Sequence, residues 1–99
     1  MEGRVSIGSI VVAAKDQLSC DLAGEAVILN LKSGVYYGLD PIGARIWQLI
    51  QVPKAVQHIR DAILDEYDVE ASQCEQDLLA LLANMEAQGL IEVQDDAVG

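Results

Sequence analysis

Histidine and cysteine, which often catalyse reactions or bind metals, are few in this sequence, and they are not grouped. The one histidine, His58, has no clustered cysteine or carboxylate pattern, so it makes neither a metal site nor a catalytic dyad. Cys20 and Cys74 lie far apart without CxxC spacing, and in a cytoplasmic chain we expect them to be free, buried thiols. The acidic stretch 64–70 lacks the ordered spacing and glycine of a Ca²⁺ loop and is typical of a solvated helix end. We therefore predict that the chain is not an enzyme and has no catalytic residue, metal or cofactor.

The overall charge favours a binding function. Sixteen Asp and Glu residues against six Lys and Arg residues give a net charge of −10. Phosphate binding needs a basic surface, so this charge argues against nucleic acid as a partner and fits a basic or mixed-charge peptide better. Solubility alone is the alternative reason for such an acidic surface.

The length and the hydropathy predict one cytoplasmic domain. The 99 residues, 52% of them hydrophobic, suffice for a modest core, and we expect a single domain over 1–99 with an ordered core over about 10–93. No apolar run approaches the ~20 residues that cross a bilayer, so we expect no membrane partner. The N-terminus makes a poor signal peptide, which leaves the cytoplasm as the expected location.

Strands in the first half of the chain must position two adjacent tyrosines. The β-branched stretches 9–15 and 25–31 predict strands, and 35–39 predicts a third, which gives a three-stranded antiparallel meander in that order. The intervening stretch 18–24 is read as a short strand or a bend. A three-residue loop over 32–34, with Gly34 in the left-handed conformation, predicts a hairpin that pairs Leu29 with Tyr37 and Ile28 with Gly38.

This register assigns different roles to the two tyrosines. Alternation along the strands predicts that Tyr37 points into the core and Tyr36 away from it. The predicted core face comprises Val27, Leu29, Leu31, Val35, Tyr37 and Leu39. In this order strand 35–39 is the unpaired edge of the sheet. An exposed edge beside a helix is either an aggregation-prone edge that the fold protects or a binding site.

The second half of the chain predicts three helices and a closing strand. The first helix covers 40–51, with Asp40 as its N-cap and Pro41 in its first turn. Pro53 opens the second, and Ser72 with Glu75 forms a capping box for the third, which Gly89 ends before a strand over 90–94. The predicted fold is α+β: a three-stranded antiparallel meander followed by a three-helix winged helix-turn-helix.

The third helix argues against DNA binding and offers two candidate flanks for a peptide groove. It carries Glu75, Asp77 and Glu86 but no Lys or Arg, and phosphate would repel such a recognition helix. Leu79 lies off the apolar stripe, on a flank with Glu75, Leu82 and Glu86, where it could form a groove floor with an acidic rim. The opposite flank, with Asp77 and Leu81, remains open.

The densest pattern lies in the stretch 26–47, "AVILNLKSGVYYGLDPIGARIW", which is followed by two helices and "GLIEV". This stretch resembles the PqqD-like domains, also called RiPP recognition elements. The residues that carry the resemblance are Leu29-Asn30, Gly34, Tyr36-Tyr37, Leu39-Asp40, Gly43 and Ile46-Trp47. The resemblance covers about 10–93. A free-standing domain of this length looks most like the leader-binding proteins of lasso-peptide pathways, which work beside a leader peptidase.

The resemblance implies a peptide chaperone. Such domains capture the leader of a ribosomally made precursor as an added strand on the edge of the meander, against the third helix, and present it to a processing enzyme. The implied peptide-binding residues are Val35, Tyr36, Tyr37, Gly38, Leu39, Glu75, Asp77, Leu78, Leu79 and Leu82. Two alternatives stay open: a PqqD-type chaperone that serves a radical SAM enzyme, and an acidic winged-helix adaptor that binds a folded protein.

Overall fold

The computed structural model describes residues 5–15, 17–22 and 25–94, which form an α+β fold with six strands and three helices in that part of the chain. In chain order the elements are β1 (Ile10–Ala13), β2 (Gln17–Leu22), β3 (Glu25–Asn30), β4 (Tyr36–Leu39), α1 (Pro41–Leu49), β5 (Lys54–Ala55), α2 (Val56–Glu66), α3 (Ala71–Ala87) and β6 (Ile91–Gln94). The predicted order of a meander, three helices and a closing strand is confirmed. The ordered core was predicted to end at about 93, and residues beyond 94 lie outside the described part.

The strands form two separate antiparallel sheets. The order of one is β2-β3-β4, a three-stranded meander, and the order of the other is β5-β1-β6. The prediction that the first strand, 9–15, belongs to the meander was wrong. β1 instead pairs with β6 from Ile10–Gln94 to Ala13–Ile91, and β2 takes the first place in the meander. β4 is an edge of its sheet, as predicted.

The β3–β4 hairpin has a register one residue away from the predicted one. Tyr36 pairs with Leu29 and Tyr37 with Ile28, because the loop has four residues, 31–34, instead of three. The side chain of Asn30 causes this difference: its Oδ1 accepts hydrogen bonds from the backbone N–H of Lys32, at 2.9 Å, and of Ser33, at 3.3 Å. Gly34, at φ 75°, closes the loop by donating its N–H to the Asn30 carbonyl at 2.7 Å. Asparagine side chains stabilise turns of this kind.

The register shift reverses the faces of β3 but not those of β4. Ile28 is fully buried in the core, so its neighbours Val27 and Leu29 lie on the outer face of the meander, contrary to the predicted face. Val27 is nevertheless buried, as predicted, although it is not part of the main core cluster. Tyr37 is half-buried against the core and Tyr36 is 60% exposed, so the predicted orientation of the two tyrosines is confirmed. Leu31 and Val35, predicted to face the core, are exposed.

Helix α1 begins as predicted, whereas α2 and α3 begin elsewhere. Asp40 caps α1 by accepting the Gly43 N–H at 2.7 Å. α2 begins at Val56 instead of Pro53, because Lys54 and Ala55 pair with β1. α3 has Glu70 at its N-cap and begins at Ala71, so the predicted capping box does not form.

The end of α3 matches the prediction. Gly89, at φ 76°, donates its N–H to the Glu86 carbonyl, and Leu90 donates to the Met85 carbonyl at 2.9 Å. These two bonds form a Schellman motif, in which glycine adopts the left-handed conformation without strain. They turn the chain directly from α3 into β6.

The core lies between the inner face of the meander, the second sheet and the three helices. Trp47 is buried there, and His58 is exposed on α2. Cys74 is buried, but Cys20 is exposed on β2, contrary to the prediction for that thiol, and neither forms a disulfide. Within the described residues, no helix is long and apolar enough to cross a membrane.

Candidate functional site: an open sheet edge beside an apolar cavity

The free edge of β4 presents the backbone groups of Tyr36 and Gly38. The Asn30 N–H donates to the Val35 carbonyl at 3.0 Å, which fixes the alternation of hydrogen bonds along the hairpin. Val35, Tyr37 and Leu39 therefore direct their carbonyl groups towards β3, and Tyr36 and Gly38 direct both polar groups away from it. An added strand would pair with these two residues.

A cavity of about 350 Å³ lies at the end of this edge, between β4, α1 and the first half of α3. Its apolar lining comes from both sides of the cleft, with Leu39 and Ile42 facing Leu78 and Leu81. The full lining is Gly38, Leu39, Asp40, Ile42, Gly43, Ile46, Ile63, Val69, Gln73, Cys74, Asp77, Leu78 and Leu81. Clefts of this size with a mostly apolar lining and a few polar groups are typical of ligand sites.

Two local contacts hold the first turn of α1 against the end of β4. The Asp40 carboxylate caps the helix, and Gly43 lets the first turn of α1 lie directly against β4. A Cβ atom on Gly43 would lie 3.1 Å from Asp40 Oδ1 and 3.3 Å from Leu39 Cδ2, tighter than ordinary contacts. The sequence pattern Leu39-Asp40 followed by Gly43 therefore fixes one wall of the cavity.

The charged residues in the lining of this cavity are both acidic. They are Asp40 and Asp77, and Gln73 Nε2 donates to Asp77 Oδ1 at 2.9 Å, one helical turn away. Arg60 forms ion pairs with Asp61 and Glu75, and Arg45 pairs with Glu66, outside the cavity lining. The cavity is therefore apolar inside with a negative potential at its polar groups, which suits an apolar side chain near a positive charge.

A buried thiol also lines the cavity. Burial raises the pKa of Cys74, the nearby Asp77 carboxylate raises it further, and Arg60 opposes the increase. The thiol is 8% exposed and stays protonated near neutral pH. Cys74 is therefore a packing residue and a useful reporter of what enters the cavity.

The structure brings some of the predicted site residues together. Gly38, Leu39, Asp77 and Leu78 line the cavity. Val35 and Tyr37 line a small depression further along the groove, where β4 meets the end of α3 at Gln88 and Leu90. Tyr36 lies beside the free edge on the outer face of the meander.

Three predicted residues on α3 lie away from the cavity. Glu75 binds Arg60 at 3.4 Å, Leu82 is fully buried in the core and Leu79 packs against the core from the opposite flank. Gln73, Cys74 and Leu81 also line the cavity but were not among the predicted peptide-binding residues. Gln73, Asp77 and Leu81 are four residues apart and therefore lie on one flank of α3, the flank that lines the cavity. From the sequence, this flank was the alternative to the one with Leu79.

The fold and the groove define an α+β domain in which a sheet with an open edge faces a helix across an apolar cleft. The chain belongs to the family of coenzyme PQQ synthesis protein D (PqqD), whose pattern matches residues 25–91.

Two solved structures are similar to the chain. TbiB1 in complex with the TbiA(beta) leader peptide is 36% identical, with a TM-score of 0.74, and the match covers 82% of this chain and 94% of that one. Lasso peptide synthetase B1 complexed with its leader peptide is 22% identical, with a TM-score of 0.73 and coverage of 83% and 96%, and supports the fold alone. Among curated proteins, none matches the chain significantly.

Proposed function

We propose that the chain binds the leader segment of a ribosomally made precursor peptide as an added strand on β4 and presents it to a processing enzyme. The observation that carries this proposal is the free edge at Tyr36 and Gly38, which leads into the apolar cavity beside α3. Backbone pairing at the edge supplies affinity for any extended peptide, and side chains that enter the cavity supply selectivity. The relative at 36% identity was solved in complex with a leader peptide, which supports the proposal that this chain binds one.

In this proposal the whole chain acts in the cytoplasm as one binding domain and performs no chemistry. Cleavage of the precursor is assigned to the partner, a leader peptidase of the kind that serves lasso-peptide pathways. The family match to a coenzyme PQQ synthesis protein favours a second candidate partner, a radical SAM enzyme. The genes beside this one distinguish the two: a peptidase and a cyclase indicate the first, and a radical SAM enzyme indicates the second.

The test uses the leader peptide of the precursor encoded beside this chain. We expect isothermal titration to give a Kd of tens of micromolar or tighter, and a scrambled peptide of the same composition to give no heat. No heat from the leader peptide at these concentrations would contradict the proposal and favour an adaptor for folded proteins.

Two measurements locate the peptide. Hydrogen exchange should slow at the N–H groups of Tyr36 and Gly38, whereas the N–H of Tyr37 already bonds to β3 and serves as the internal control. In a Cys20→Ser variant, whose remaining thiol is Cys74, the leader peptide should slow alkylation several-fold. Binding without either effect would place the peptide elsewhere on the protein.

A further inference from the structure

The outer face of the meander carries two rows of side chains that run across the strands to the free edge. The first row is Leu18, Leu29 and Tyr36, and the second is Cys20, Val27 and Gly38. Residues directly opposite each other in antiparallel strands share a face, and this face is opposite to that of the buried Ile28. The first row therefore ends in an exposed aromatic ring, and the second ends in a position with no side chain.

The free protein gives no reason for a glycine at position 38. Its φ lies outside the left-handed region, in contrast to those of Gly34 and Gly89. Among the described residues, none apart from its two chain neighbours would have an atom within 4 Å of a Cβ built on Gly38. Glycine inside a strand weakens it, and such a glycine often marks a place where a ligand approaches the backbone closely.

The hydrogen-bond alternation shows where a residue of an added strand would lie relative to Gly38. Because Gly38 directs its N–H and carbonyl groups to the free edge, an added strand sets one residue beside it, with its side chain on the outer face. The bare backbone of Gly38 leaves room for that side chain, which would lie next to Tyr36 and extend the row of Cys20 and Val27. Large side chains on a neighbouring strand commonly cover a glycine in this way.

We propose that Gly38 forms a subsite for one large apolar side chain, aromatic or branched aliphatic, of the bound peptide. The subsite lies on the outer face of the sheet, and the cavity beside α3 lies on the inner face. Since neighbouring residues of a strand point to opposite faces, the residue in this subsite is adjacent in the peptide to a residue that points towards the cavity. This proposal rests on the proposed function and specifies which peptides the edge selects.

The test selects peptides from an mRNA-displayed library of random 15-residue sequences against the wild-type protein. We expect the selected peptides to share a large apolar residue next to a second anchor residue. Replacing the apolar residue by alanine should weaken binding to the wild type at least tenfold, and to Gly38→Val less than twofold, because valine already occupies the subsite. The melting temperature of Gly38→Val should stay within a few degrees of the wild-type value, since its side chain meets open space. Gly8→Ala, another unobstructed glycine with ordinary backbone angles, should behave as the wild type.

The outcomes separate this proposal from the one on which it rests. If selected peptides slow Cys74 alkylation and Tyr36 amide exchange, but no peptide position depends on residue 38, the subsite is wrong and the edge remains the binding site. If no selected peptide has either effect, both proposals are wrong.

Discussion

The side-chain amide of Asn30 donates a hydrogen bond to the carbonyl oxygen of Gln88, 3.1 Å away, and so joins the β3–β4 hairpin to the end of α3. The side-chain amide of Gln17, on β2, donates to the carbonyl oxygen of the next residue along, Gly89, at 3.2 Å. These two bonds use carbonyl groups in the turn after the last helical residues, which lack partners within the helix. They fix the edge strand and α3, the two walls of the groove, relative to each other.

Substitutions of Asn30 should separate its acceptance of hydrogen bonds in the turn from its donation to Gln88. Asn30→Asp keeps an acceptor for the turn but loses the donor to Gln88 and places a negative charge at the negative end of the helix dipole. We expect a loss of about 1–2 kcal/mol in the free energy of unfolding, measured by urea denaturation with the fluorescence of the buried Trp47. Asn30→Ala, which also removes the acceptor for two backbone N–H groups, should lose more. Equal stability of Asn30→Asp and the wild type would show that the bond to Gln88 contributes nothing.

The two tyrosines of β4 should separate folding from binding. Tyr37→Ala removes a half-buried ring from the core and should cost about 2–4 kcal/mol, somewhat less than truncation of a fully buried aromatic residue. Tyr36→Ala removes an exposed ring beside the free edge, so the melting temperature should change by a few degrees at most while leader binding weakens. Thermal melts and titrations of both variants check this. The reverse result, with Tyr36→Ala unfolded and Tyr37→Ala stable, would mean that the faces of β4 are exchanged.

Leu81 and Leu79 form a matched pair on opposite flanks of α3, since both are half-buried and only Leu81 lines the cavity. Leu81→Glu should weaken leader binding at least tenfold, because a carboxylate beside Asp77 adds negative charge to an apolar cleft. Leu79→Glu should bind as the wild type does, with a comparable loss of thermal stability. Leu82→Glu buries a charge in the core and should unfold the domain. Loss of binding in Leu79→Glu alone would assign the groove to the other flank.

The sequence predicted the strand edge and the faces of β4, because the period of two places Tyr37 with the apolar Leu39 on one face and Tyr36 with Gly38 on the other. It did not predict the faces of β3, because the stretch 26–29 is apolar at four consecutive positions and alternation carries no signal there. The register then depended on the length of the loop, and the two hydrogen bonds that the Asn30 side chain accepts go with a loop one residue longer than predicted.

The sequence did not predict which residues of α3 line the cavity, nor that a second sheet forms. Both depend on contacts between distant parts of the chain. Which flank of α3 faces β4 is set by the rotation of the helix on the core, and the leucines on both flanks allow either choice. The capping box failed for a similar reason, since Glu75 pairs with Arg60 of α2. Nothing in the sequence of either strand indicates that β1 pairs with β6.

The ion pair between Arg45 and Glu66 should make stability depend on acid. Arg45 donates two hydrogen bonds of 2.9 Å to Glu66, and these bonds lower the pKa of Glu66. A lowered folded-state pKa means that the contribution of this pair is fully present above the unfolded value of about 4.3 and is lost as the pH falls through the folded value. We therefore expect Glu66→Gln to be less stable than the wild type at neutral pH, and the difference to shrink in acid.

Denaturation curves at several pH values check this, and Arg45→Met, which breaks the pair from the other side, should converge with the wild type over the same pH range. The pair is exposed, so the difference at neutral pH should be modest. A difference that is constant with pH would show that the ion pair is not its source.

The position of β1 between β5 and β6 has a consequence for the order in which the protein folds during translation. The hairpin that carries the free edge joins neighbours in sequence and needs only short loops to close, so it forms at low entropic cost. β1 emerges from the ribosome before the other described strands, yet its main partner, β6, is the last of them. Until β6 emerges, the two residues of β5 are its one partner among the described strands. A chain halted before Ile91 would therefore hold a formed hairpin but a half-paired β1, with a second exposed edge open to aggregation.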